Sequence, residues 1–168
     1  VKLVLIGLRG TGKSTVGKLL AEQLKRPFFD TDELVQERAN LTIRQIFETE
    51  GEPSFRERET AVVRELAQQA DAVIATGGGA ILNAENVRVL REDGFVVHLS
   101  ADPSELWRRI SQDVSSHANR PPLVAGSSGP EELRKLMLAR ASHYSQARDV
   151  EVGVQDRSPQ EVVEKVLL

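Results

Sequence analysis

The chain contains no cysteine. Disulfides, thiolate catalysis and cysteine-ligated metals are therefore excluded, while the redox compartment stays open. Long apolar runs are missing too. Nothing approaches the roughly 20 residues of a membrane helix, and residues 1–6 are too short for the apolar core of a signal peptide. Charge of one sign is not in large excess: a net charge of −3 gives no bulk electrostatic case for nucleic acid. Aromatics are scarce, at 4% of residues, and the single tryptophan, Trp107, reads as packing rather than as a platform for a base. His98, His117 and His143 show no metal-ligand spacing, and no internal repeat is visible. The remainder, 40% apolar and 28% charged, is ordinary for a globular protein, and 168 residues can bury a core as one domain over 1–168. A cytoplasmic monomer with neither nucleic acid nor membrane as partner is the expectation.

What is present is organised around Gly7-Leu8-Arg9-Gly10-Thr11-Gly12-Lys13-Ser14, which fits the phosphate-binding pattern Gly-x-x-x-x-Gly-Lys-[Ser/Thr]. A β-prone run, residues 2–6, precedes it, and residues 15–24 follow with Val16, Leu19, Leu20 and Leu24 on one helical face. Strand, glycine-rich turn and helix is the context this motif requires. Glycines let successive N–H groups turn inward on a polyphosphate, and the helix N-terminus adds a favourable field. Lys13 would reach the β- and γ-phosphates, and the Ser14 hydroxyl would ligate Mg²⁺.

Further β-prone runs fall at 27–29, 72–75, 94–99 and 150–154, separated by helical patterns. The alternation predicts an α/β fold with a parallel sheet covered on both faces. Helices are expected over 15–24, from 33, over 42–47, from Pro53, over 83–90 and 103–110, from Pro130 to Tyr144, and over 162–168. Residues 111–129, rich in Ser, Gly and Pro, read as a lid over the phosphate site.

Asp30-Thr31-Asp32 follows the second strand. In an extended segment both carboxylates would face one way, towards the phosphates, with one holding Mg²⁺ through water and the other accepting a proton from an attacking hydroxyl. The plainer alternative is that Asp32 caps the next helix. Arg56 and Glu59, at i,i+3, suit a surface ion pair on spacing alone; a guanidinium held for a substrate carboxylate is the functional alternative. Gly77-Gly78-Gly79, at a strand's carboxyl end, permits close backbone approach to a ligand or is a flexible turn. Arg120 lies in the lid segment, where it is either a cation for phosphoryl transfer or an exposed side chain, and Arg140 is a second candidate anion grip.

Together these motifs resemble the shikimate kinase family of nucleoside-monophosphate-kinase-like P-loop enzymes over essentially the whole chain. The marks are the P-loop at 7–14, Asp30-Thr31-Asp32, Gly51-Glu52 leading to Phe55-Arg56 and Glu59, Gly77-Gly78-Gly79, Arg120-Pro121, and Arg140 with Tyr144. The resemblance implies a three-layer fold, a five-stranded parallel sheet in the order 2-3-1-4-5, substrate-binding helices over 33–60 and a mobile lid over 111–129. It implies transfer of the ATP γ-phosphoryl group to the 3-hydroxyl of shikimate, with Mg²⁺ as cofactor. Asp32 would activate that hydroxyl and Asp30 would support Mg²⁺ together with Ser14. Arg56, Arg140 and the backbone of Gly77, Gly78 and Gly79 would hold shikimate. Gly10, Thr11, Gly12, Lys13, Ser14 and Thr15 would bind ATP with Arg108, Arg120 and Arg157, and Lys13 and Arg120 would stabilise the transferring group. Pro122 departs from the family's usual leucine and would stiffen the lid. Two rival readings are a kinase of another small metabolite, such as gluconate, and a kinase-like regulatory module without turnover.

Overall fold

The computed structural model describes residues 1–112 and 129–168. Five strands, β1 (Lys2–Ile6), β2 (Phe28–Asp30), β3 (Val73–Ala75), β4 (Gly94–Ser100) and β5 (Val150–Gly153), form one parallel sheet in the order β2-β3-β1-β4-β5. This is the order the family resemblance implies.

The period-two alternation of the strands sorts their side chains into two cores. Leu5, Val73, Val97 and Leu99 pack beneath α1 (Lys13–Leu24) and α8 (Pro159–Leu167). Val4, Ile6, Ile74 and Val96 face the opposite way, under α2 (Thr31–Ala39), α3 (Ile43–Glu50), α4 (Glu52–Leu66), α5 (Ala84–Arg91), α6 (Pro103–Gln112) and α7 (Gly129–Ala147). The result is a sheet between two helical layers.

Local chemistry sets the helix ends. Thr42 and Gln45 form a reciprocal capping box that starts α3, and Ser158 with Glu161 does the same for α8. Pro159, inside the first turn, suits a helix start, so α8 begins three residues before the expected 162. The expected lid segment is also shorter at both edges. Ser111 and Gln112 complete α6, and Gly129 opens α7; the rest of that segment, with Arg120, Pro121 and Pro122, lies outside the described residues.

Strand register brings the functional loops together. Leu5 pairs with Ala75, and Ala75 with Asp30, so the loops leaving β1, β2 and β3 emerge side by side. Ligands of open α/β sheets bind at that carboxyl edge.

Candidate active site

The P-loop leaves β1 and closes onto α1. Gly10 and Gly12 have φ of 92° and 90°, left-handed values that a side chain would strain, so glycine at both positions is required by the turn itself. Thr11 Oγ1 donates to the Leu8 carbonyl at 2.9 Å, and Lys13 Nζ donates to the carbonyls of Gly7 and Leu8 at 2.6 and 3.0 Å. The lysine's cation is thereby held across the loop. A cleft of about 640 Å³ opens over residues 10–15, with Arg108, Arg109 and Arg157 also in its lining.

Arg109 donates to the Gly10 carbonyl at 3.5 Å and the Val154 carbonyl at 3.3 Å; Glu105 joins it to Arg108. Those two guanidinium groups hold the Glu105 carboxyl down at about 2. Arg157 donates to the Gly153 carbonyl at 2.6 Å.

The acidic pair is arranged differently from the extended segment expected over Asp30-Thr31-Asp32. Asp30 ends β2 and caps α2, its Oδ1 accepting from the N–H groups of Asp32 and Glu33 at 2.9 and 3.2 Å. Its Oδ2 accepts from the Ser14 hydroxyl. Asp32 is neither extended nor the cap: it sits, buried, in the first turn of α2. A helical turn has replaced the extended geometry because Asp30 satisfies the orphan N–H groups of the helix start.

Thr31 ties this turn to the glycine loop, its Oγ1 accepting from Gly77 N–H at 2.9 Å. The loop packs so closely that a Cβ at Gly77 would lie 2.4 Å from Asp32 Oδ1, and one at Gly79 would lie 2.6 Å from the Arg56 guanidinium. Close approach, rather than flexibility, accounts for these glycines.

Arg56 donates to Glu59 at 2.9 Å. The surface pair suggested by spacing alone is not what forms: Glu59 is 1% exposed, because α4 turns it inward beneath the glycine loop. Burial raises its carboxyl to about 7, against the opposing pull of Arg56. Glu59 Oε2 is buried without a hydrogen-bond partner among the described residues. Arg140, on α7 and itself buried, approaches the other side of Gly78. Arg56, Arg140, Asp32 and the three glycines surround a second, smaller cavity of about 40 Å³.

A family profile described as shikimate kinase matches residues 9–168. The chain belongs to the shikimate kinase family. It is 45% identical to the shikimate kinase of Symbiobacterium thermophilum, over 99% of this chain and 94% of that one. It is 42% identical to the shikimate kinase of Chromohalobacter salexigens, over 98% of this chain and 89% of the relative. A solved structure of Acinetobacter baumannii shikimate kinase in complex with shikimate superposes with a TM-score of 0.90 at 36% identity, covering 99% of this chain and 90% of that one. This member of the shikimate kinase family is accordingly a phosphotransferase that uses ATP.

Within it, one residue to which sequence patterns assign no role stands in the site, paired with a second that lines neither cavity. Arg9, an unspecified position of the P-loop pattern, lines both cavities. Its Nη2 lies 3.9 Å from Oε1 of buried Glu132 on α7. No spacing rule joins residues 9 and 132; only the docking of α7 against the P-loop does. The other expected site residues line one or other of the two cavities, apart from Arg120, which lies outside the described residues. No helix among the described residues is long and apolar enough to cross a membrane.

Proposed function

We propose that this kinase transfers the γ-phosphoryl group of ATP to the 3-hydroxyl of shikimate, giving shikimate 3-phosphate and ADP, a step of aromatic amino-acid biosynthesis. One observation carries the assignment of roles: the P-loop cleft and the smaller cavity share Arg9, Asp32 and Gly78 as common walls. A donor on one side and an acceptor on the other would meet at Asp32.

On the nucleotide side, residues 10–15 cradle the phosphates, and Arg108 and Arg157 border the adenine end of the cleft. On the acceptor side, Arg56 and Arg140 grip the shikimate carboxylate, aided by the backbone of Gly77, Gly78 and Gly79. Asp32 orients the hydroxyl and takes its proton as the new P–O bond forms and the bond to the ADP oxygen breaks. Phosphoryl transfer rests mainly on positioning and charge stabilisation, so Asp32 need not generate a free alkoxide. Lys13 supplies positive charge to the transferring group. Arg120 is assigned the same role on its sequence position alone.

The donor set suits Mg²⁺. Ser14 Oγ and Asp30 Oδ2 are hard oxygen donors brought into contact at the cleft wall, and Asp30 would act through water. Bound there with ATP, the ion would neutralise charge on the phosphates.

A coupled ADP-release assay with Mg·ATP tests this reading, comparing shikimate with gluconate, quinate and nucleoside monophosphates. Turnover with shikimate alone is expected. Turnover with another acceptor would reassign Arg56 and Arg140, and shikimate binding without turnover would make the domain a regulatory module.

A further inference from the structure

Tyr144 has no part in the proposed phosphoryl transfer, yet it is 3% exposed and stands against the substrate loop. Its hydroxyl donates to the Gly78 carbonyl at 2.8 Å. It lies one helical turn beyond Arg140 on α7, along the buried line Glu132, Leu136, Arg140, Tyr144 at intervals of four. Burial raises the phenol's pKa, and the positive charge of the Arg140 guanidinium works in the opposite direction. The phenol therefore stays protonated at neutral pH and keeps a proton to donate. The Tyr144 hydroxyl and the Arg140 guanidinium thus converge on Gly78, the first bonded to its carbonyl and the second 3.4 Å from where a Cβ would stand.

The ring is fixed from behind. His98, on β4, stacks against it with centroids 4.4 Å apart and planes 10° from parallel. Burial lowers the His98 imidazole to about 4, so the stacked ring is neutral, and its Nδ1 lies 3.2 Å from the Arg148 guanidinium. A cavity of about 370 Å³ opens along the same flank, between β4 and α7. The stack and the hydroxyl bond both fix the ring's placement beside that cavity.

The consequence falls on the glycine loop. A trans peptide is planar, with its C=O and N–H pointing in opposite directions. With the Gly78 carbonyl drawn to Tyr144 on α7, the N–H of the same peptide, that of Gly79, is turned away from α7. Gly79 itself packs against the Arg56 guanidinium, which lies 2.6 Å from where a Cβ would stand. Glycine on both sides of the peptide bond leaves its plane otherwise free to rotate.

We infer that Tyr144 is a positioning residue that aims the Gly78–Gly79 peptide beside the Arg140 guanidinium, so that the two form one receptor for the acceptor's carboxylate. The inference rests on the proposed shikimate reading of that cavity. It makes Tyr144 specific to the acceptor side, because its hydroxyl bonds to Gly78 and not to the residues proposed to bind nucleotide.

The test is Tyr144→Phe, which keeps the ring and the His98 stack and removes only the hydroxyl, assayed alongside wild type for the KM of each substrate and for Tm. Loss of one buried hydrogen bond that orders a binding group should raise the shikimate KM by roughly tenfold, with the ATP KM unchanged. His98→Ala, which removes the stack and leaves the hydroxyl, should raise the shikimate KM in the same direction by a smaller factor. A folded Tyr144→Phe enzyme with a lower Tm and wild-type shikimate KM would overturn the inference and leave Tyr144 a structural residue. Should Tyr144→Phe not fold, His98→Ala decides: a selective rise in shikimate KM supports the inference, and no rise overturns it. Failure of wild type to phosphorylate shikimate would overturn the functional reading and this inference together. Normal wild-type turnover with an unaltered Tyr144→Phe would overturn the inference alone.

Discussion

Asp32 and Glu59 both present buried carboxyl groups beside Gly77, and their surroundings divide their labour. Asp32 sits in the first turn of α2, on the wall shared by the two cavities. Asp32→Asn should therefore keep ATP affinity and lower kcat by about a hundredfold or more, the usual worth of a positioned base. Steady-state kinetics with nucleotide-binding measurements checks this, and an unchanged kcat would remove Asp32 from the base role. Glu59 is instead dominated by desolvation, which lifts its carboxyl from 4.5 to about 7. A carboxyl that binds its proton more tightly when folded stabilises the fold in its protonated state. That contribution is complete below about 4.5 and is lost as pH rises through about 7. Between those values wild type should lose stability relative to Glu59→Gln, as read from urea midpoints at a series of pH values. Parallel curves would show that Glu59 does not titrate in this window.

At the scale of elements, the junction between β2 and α2 does the most. Asp30 closes the strand, caps the helix and reaches Ser14, while Thr31 anchors the glycine loop leaving β3. Thr31→Val keeps the side-chain shape and leaves the buried Gly77 N–H without its acceptor, a loss of about 1–3 kcal/mol. Chemical denaturation should show that loss, and the shikimate KM should rise more than the ATP KM because the displaced loop borders the acceptor cavity. Equal changes in both constants would mean that the junction supports the whole site without preference. α7 plays the complementary part, its buried line of residues carrying Glu132 to Arg9 and Arg140 to the glycine loop.

For the whole molecule, function follows from one register. Parallel pairing aligns the ends of β1, β3 and β2, so P-loop, glycine loop and acidic turn converge on one edge. Each ligand should stabilise the folded state by mass action, by about 2.7 kcal/mol at a hundred times its dissociation constant. Because Ser14 and Asp30 line the P-loop cleft and Arg56 and Arg140 the smaller cavity, the two increments should separate on the proposed reading. Chelating divalent cations should abolish most of the rise in Tm given by a non-hydrolysable ATP analogue and leave the rise given by shikimate. A chelator that removed both equally would show the metal to be required on the acceptor side as well.

Local chemistry in the sequence was enough to determine the strand–loop–helix at residues 2–24, the alternation that makes the fold α/β, and, through the spacing of several short motifs, the family. These are legible because backbone conformation at Gly10 and Gly12, period-two burial and helix capping act over a few residues. The tertiary structure decided the rest. Glu59 became a buried carboxyl only because α4 places it beneath the glycine loop, and i,i+3 spacing with Arg56 carries no information on depth. Asp30, not Asp32, became the cap because the helix starts at Thr31, a choice fixed by bonds to Ser14 and Gly77 from other elements. Arg9 with Glu132, and Tyr144 with Gly78, are contacts across more than sixty residues of chain. Such pairs leave no periodic trace, since it is the docking of α7 on the sheet edge, a non-local packing event, that brings them together.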